Sequence, residues 1–158
     1  MNGMHQIVDE PPEAEDEGPV VEELDRDECL RLLTTQSVGR LAACQPGWAP
    51  HVVPVNYVLL RDSIVFRTDE GTKLRLLVSE PVTFEVDFVD SFHRVGWSVV
   101  VQGLAYEASE WEVEVEQLHV EPFAPGGKPH WARLVPHSIT GRRIRLRTPS
   151  PFDPRGYL

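Results

Sequence analysis

Arg67-Thr68-Asp69-Glu70-Gly71-Thr72-Lys73 is the stretch with the residue types for chemistry: two cations, two hydroxyls and a glycine. Lys73-Leu74-Arg75-Leu76-Leu77-Val78 suits a short amphipathic helix, so the loop ends at a helix N-terminus. Such an end offers unsatisfied N–H groups and the positive end of the helix dipole, which together favour an anion. Gly71 lets the backbone approach closely, Thr68 and Thr72 can donate hydroxyl hydrogen bonds, and Arg67 and Lys73 bring charge. A phosphate suits this loop. The competing reading has both cations solvated and Thr72 only capping the helix, and on local chemistry alone it is preferred, since short motifs match by chance.

No side chain declares itself as a general acid or base. His51, His93 and His130 are candidates by type, against a structural or solvated role for each. Cys29 and Cys44 lie 15 positions apart with no CxxC partner, which indicates neither a metal site nor a disulfide framework. Both read as small buried hydrophobes.

The phosphate loop needs a frame, and the residues before it supply a hairpin. Val53, Val55, Tyr57 and Leu59 fall on one face at period two across His51–Leu60. Arg61-Asp62-Ser63 turns the chain, and Ile64–Arg67 returns. Upstream, Asp25 with Glu28 three positions later makes a capping-box pair, and Cys29, Leu30, Leu32 and Leu33 form an apolar stripe, so a helix spans about 26–35. Gly39–Cys44 reads as the first strand, and Gln45-Pro46-Gly47-Trp48 as a turn. Pro81–Phe88 alternates, with Thr83, Glu85 and Asp87 on one face.

Val89–Gly96 reads as a connecting loop, and Trp97–Ala105 as a β-branched strand fit for burial on both faces. Ser109–Leu118 fits a strand by alternation and a helix by its capping pair, with helix preferred. Pro122–Lys128 is a loop, and His130–Val135 and Ile139–Leu146 read as two further strands. The expected architecture is mainly β, a barrel with peripheral helices.

Composition narrows the function classes. With 158 residues and 41% hydrophobic content the chain suits one globular domain, here placed at 23–148. No apolar run approaches a membrane span, and no secretory signal pattern opens the chain, so a cytoplasmic protein is expected. The net charge is −10, and eight acids with no Lys or Arg crowd residues 1–23, leaving 17 acids against 15 bases elsewhere. Residues 1–22 therefore read as a disordered acidic tail and 149–158 as an irregular C-terminal tail. No basic face emerges, which argues against nucleic acid.

Five blocks in order resemble a known family: GRLA at 39–42, PVNYVLLRDSIVFRTDEGTK at 54–73, PVTFEVDFVD at 81–90, GWSVVVQGLA at 96–105 and ITGRRI at 139–144. They are similar to the pyridoxamine 5'-phosphate oxidase-like flavoproteins, specifically the small actinobacterial-type branch. The resemblance covers about residues 24–147 and implies a six-stranded Greek-key FMN-binding split barrel, forming a homodimer with FMN in two clefts between subunits. By that resemblance Arg67, Thr68, Thr72 and Lys73 hold the FMN phosphate, and Pro54, Val55, Asn56 and Tyr57 line the isoalloxazine. Trp97, Ser98 and Gln102 approach the flavin from the second subunit, with packing in the dimer core as the alternative for Trp97.

The vitamin-binding oxidase carries a C-terminal Arg and His pair, and Thr148–Leu158 offers none, so oxidation of pyridoxamine phosphate itself is not expected. The resemblance implies a flavin-dependent oxidoreductase acting on a small molecule. A deazaflavin-dependent reductase, or a flavin or haem carrier or sensor, are the alternatives.

Overall fold

The computed structural model describes residues 19–44, 47, 49–68, 81–107 and 130–146. The elements are β1 (Pro19–Leu24), α1 (Arg26–Leu33), β2 (Val38–Ala43), β3 (His51–Leu60), β4 (Ser63–Thr68), β5 (Val82–Asp90), β6 (Val95–Glu107) and β7 (His130–Leu146). The expected helices at 73–78 and 109–118, the 122–128 loop, the 149–158 tail and residues 1–18 lie outside the described residues, as do Gln45, Pro46 and Trp48 of the expected turn.

All strand pairs are antiparallel, and the neighbours run β7-β4-β3-β2-β5-β6, with β6 pairing back to β7. The result is a closed six-stranded barrel. Strands β2, β3 and β4 follow as hairpins, and β5 returns beside β2, which is a Greek-key connection. Closure requires β7 to serve two ladders at once. His130–Leu134 pairs with β4, while Ala132–Ile144 pairs with β6.

Period-two alternation sorts inside from outside. Leu41, Tyr57, Ile64, Phe66, Phe84 and Val99 are buried in one core cluster, while their sequence neighbours face out. Helix α1 sits against this core with Cys29, Leu32 and Leu33 buried. Its approach depends on Gly141 of β7, where an added Cβ would lie 2.6 Å from Cys29 Sγ. Asp25 caps the helix by accepting from Glu28 N–H at 2.8 Å. The reciprocal half of the expected capping box is replaced, because the Glu28 carboxylate bonds Arg31 and Arg143. Three hydroxyls close the other end. Thr34, Thr35 and Tyr57 donate to the carbonyls of Arg31, Leu32 and Leu33 at 2.7, 2.7 and 2.6 Å.

The structure corrects several expectations. The strand β1 begins at Pro19, four residues inside the segment read as tail, and pairs with β7. Its register sets Glu22 against Arg143 and Glu23 against Arg142, so its partners are charges far away in sequence. The two strands expected at 130–135 and 139–146 are one, continuous through Pro136 by a register shift opposite Gln102/Gly103. Gly103 permits this, since a Cβ there would lie 2.0 Å from the Val135 carbonyl oxygen. The 89–96 loop shrinks to residues 91–94, because Val89 pairs with Gly96. Within one chain β6 is not buried on both faces, as Leu104 is 60% exposed. Cys29 is buried and Cys44 exposed, both as free thiols.

Tyr57→Phe removes the donor to a helix-end carbonyl in the core. A buried acceptor left unsatisfied costs about 1–3 kcal/mol, so denaturant unfolding is expected to show a loss of that order; an unchanged midpoint would mean that water replaces the phenol. Glu28 gives a second expectation. Hydrogen bonds from Arg31, then Arg143, hold its carboxyl at about 2, below the usual 4.5. A depressed carboxyl stabilises the fold above its ordinary pKa and ceases to as pH falls toward the folded value. The melting temperature of the wild type is thus expected to fall between about pH 4.5 and 2 more steeply than that of Glu28→Gln, and superimposable profiles would refute the assignment.

Candidate functional site

The hairpin of β3 and β4 sorts the expected cofactor residues by face. Val55 and Tyr57 point inward, where Val55 packs against the core and Tyr57 is buried edge-on to Phe84 at 4.9 Å. Burial pushes the Tyr57 phenol well above its ordinary range. Only the backbone of these two residues is available to a ligand outside the barrel. Pro54 and Asn56 alternate with them and lie on the outer face. Asn56 Nδ2 donates to the Ser37 carbonyl at 3.3 Å.

On β4 the same alternation separates Arg67 from Thr68. Thr68 shares the parity of Ile64 and Phe66 and is buried, while Arg67 shares that of Val65 and lies outside. Arg67 stands opposite Trp131 of β7, its guanidinium 5.3 Å from the indole ring centroid. The fully buried Val65 beside it gathers Val58, Leu60 and Trp131 into a second apolar cluster, separate from the barrel core. Thr72 and Lys73 lie outside the described residues.

The third expected group divides as well. Trp97 faces in, packed against the core cluster and set between Phe88 and Arg143. Ser98 and Gln102 face out with Val100, and their register neighbours are Asp87 with Arg142 and Thr83 with Ser138. In the ring of six strands, β6 lies opposite β3. The outer faces that carry Pro54 and Asn56 on one side and Ser98 and Gln102 on the other therefore point in opposite directions. A single chain cannot close them on one ligand.

The histidines do not converge. His51 opens β3 exposed, and His93 sits at the β5–β6 tip with its Nδ1 2.6 Å from Asp90. Two backbone N–H groups of Phe92 and His93 also reach Asp90, and the His93 contacts hold its carboxyl below the usual range. His130 lies at the far end of the sheet, register-paired with Thr68 and 2.6 Å from Glu107 through Nδ1. Among the described residues no group of three or more His, Cys, Asp or Glu is placed to hold a metal, and no helix is long and apolar enough to cross a membrane.

The sequence reading missed three outer-face residues. Arg40 stands beside Pro54 in the ladder and is tied to Glu85 at 2.9 Å and to Asp87. Burial raises the Glu85 carboxyl despite that arginine. Trp131 and Arg133 flank Arg67 from β7, with Arg133 opposite Val65. Alternation along 130–135 marks these two as sharing a face, but nothing local shows that the face adjoins Arg67.

A family model for pyridoxamine 5'-phosphate oxidase matches residues 25–143, from the N-cap of α1 nearly to the end of β7. The chain belongs to this family. The uncharacterized protein Rv0080 of Mycobacterium tuberculosis is 33% identical over 138 residues, spanning 83% of this chain and 90% of that one. Among solved structures, the FAD binding protein from Mycobacterium smegmatis is 35% identical with a TM-score of 0.67, covering 78% of this chain and all of that chain. A FAD-binding protein from Mesorhizobium loti is 26% identical with the same TM-score of 0.67, covering 80% and 98%. Family and neighbours agree with the barrel described above, the split-barrel fold.

Proposed function

We propose that this chain is a homodimeric flavoprotein oxidoreductase that binds FMN, or the FMN half of a larger flavin, on the outer face of β3 and β4. The observation that carries the reading is the placement of Arg67 next to the Pro54–Asn56 outer face in a member of this family. The donor set fits a phosphate monoester: one guanidinium beside the Trp131 ring and one side-chain amide on the adjacent strand, with Thr72 and Lys73 of the loop proposed to complete it. A bound flavin supplies electron and hydride transfer. The chain's own contribution is binding, orientation and exclusion of water.

The opposed outer faces of β3 and β6 support the dimer. If Ser98 and Gln102 reach the ring, they come from the second copy, over the Pro54–Tyr57 backbone of the first. The cytoplasm is the compartment this reading fits. A second reading, FAD in place of FMN, is favoured by the two flavin-binding structural relatives, both described as binding FAD.

The phosphate assignment is tested with two ligands. A hydrogen bond to a charged group contributes about 1.5–3 kcal/mol, and about 1.4 kcal/mol is tenfold in affinity. Arg67→Ala and Lys73→Ala are each expected to weaken FMN by roughly 10–150-fold and to leave riboflavin, which lacks the phosphate, nearly unchanged. Equal losses for both ligands would take these residues off the phosphate. The shared cleft is tested by mixing. Arg67→Ala and Gln102→Ala homodimers each carry two damaged sites, whereas an exchanged mixed dimer carries one intact site. Recovery of tight FMN sites on mixing is expected, and no recovery between exchanged subunits would place both residues in one chain's site.

A further inference from the structure

We propose that the acidic segment preceding β1 folds back over an apolar row on the outer face of β1, β7, β6 and β5, with Met4, Ile7 and Val8 as its anchors. The register sets Val21 against Ile144, Ile144 against Gly96 and Gly96 against Val89, so these positions form one line across four strands. Val21, Ile144 and Val89 are 61, 44 and 66% exposed, and Phe92 at the adjoining β5–β6 tip is 89% exposed. Gly96 carries no side chain and leaves a low point between Ile144 and Val89. Apolar side chains scattered singly on a surface are ordinary, whereas a contiguous set rimmed by charge marks an interaction site.

Charge selects the occupant. Among the described residues Arg94 and Arg142 hold no carboxylate, whereas Arg143 and Arg145 on the same strand as Arg142 each do. Arg142 lies two residues before Ile144, and Arg94 ends the tip two residues before Gly96. Glu23 stands opposite Arg142 in register without bonding to it. The segment before β1 carries the complement. Asp9, Glu10, Glu13, Glu15, Asp16 and Glu17 follow directly on the apolar anchors, with no Lys or Arg among residues 1–18. Geometry permits the return, because the segment joins the sheet at Pro19, opposite Leu146 and two residues from Val21. The ten residues between Val8 and Pro19 reach up to about 33–36 Å when extended, against about 14 Å for three strand spacings. An acidic stretch alone stays solvated, so the anchors decide. The tether gives them an effective concentration of about millimolar, and a contact of that strength suffices. No residue proposed to hold the flavin takes part.

The experiment reads solvent access to methyl groups by NMR of the full-length protein with a soluble paramagnetic agent. The methyls of Val21, Val89 and Ile144 are expected to be protected in the wild type. Ile7→Asp with Val8→Asp in the full chain is expected to abolish that protection, and so is a chain that starts at Pro19. Unchanged methyl shifts at Val99 and Leu134, buried in the barrel, report an intact fold in each variant. Arg94→Gln with Arg142→Gln is expected to remove part of the protection, as is salt at about 1 M, where screening acts over about 3 Å. Row methyls as accessible in the wild type as in both tail variants would overturn the inference. Protection that survives the tail changes and disappears on dilution would assign the row to a second copy, which overturns it equally. Protection indifferent to both the arginine changes and salt would remove the charge argument, and the choice of occupant with it.

Discussion

Everything in this molecule depends on β7 pairing with two strands that are far apart in sequence. Its first residues close the ladder with β4 and its long middle closes the ladder with β6, so the sheet has no seam. Closure fills the interior: Phe66, Phe84, Ile64 and Leu134 are buried at the centre, and α1 presses Cys29 onto Gly141. A packed interior leaves the outer faces for ligands. It also turns the outer faces of β3 and β6 away from each other, and the proposed two-copy site follows from that geometry.

Closure has to be held at the helix as well as along the strands. The last turn of α1 hands three successive carbonyls to Thr34, Thr35 and Tyr57, the last on β3. At the same time Glu28 reaches β7 through Arg143, and Arg26 reaches the β3–β4 turn at Asp62 with a 2.8 Å contact. The exposed Arg26–Asp62 pair is worth little by itself. The Tyr57 hydroxyl that donates to the Leu33 carbonyl matters more, because that acceptor is buried and water cannot substitute without entering the core. One short helix is thereby fixed to β3, to β7 and to the turn that leads into Arg67.

Much of this was legible in the sequence where the information is local. The Asp25 cap, the β3–β4 hairpin and the polar face of Thr83, Glu85 and Asp87 all follow from spacing within a few residues. The misses have a common cause. β1 looked like tail because its partners lie far along the chain on β7, where Glu22 and Glu23 stand in register with Arg143 and Arg142 and Glu22 pairs with Arg145, and β7 looked like two strands because Gly103, on another strand, absorbs the irregularity at Pro136. The grouping of Trp97 with Ser98 and Gln102 was a resemblance carried over residue by residue. Alternation alone separates an odd position from its even neighbours, and Trp97 accordingly packs inward. The same period-two rule divides Val55 and Tyr57 from Pro54 and Asn56, and Arg67 from Thr68.

That division bears on how a strand can serve a ligand at all. A side chain every second residue means that β3 and β4 present only Pro54, Asn56 and Arg67 near the proposed phosphate, too few to specify a flavin by side chains alone. Specificity must then come from additional strands on the same face or from another copy. On the near side the ladder adds Arg40, but Glu85 and Asp87 already engage it. On the far side it adds Trp131 and Arg133, positioned by the β4–β7 register. The closing ladder that seals the barrel is thus also the one that brings a second guanidinium and an indole beside Arg67. A change that slipped the β7 register by one residue would turn Trp131 and Arg133 inward and expose Ala132 and Leu134. Barrel closure and the composition of the outer site are for this reason a single constraint.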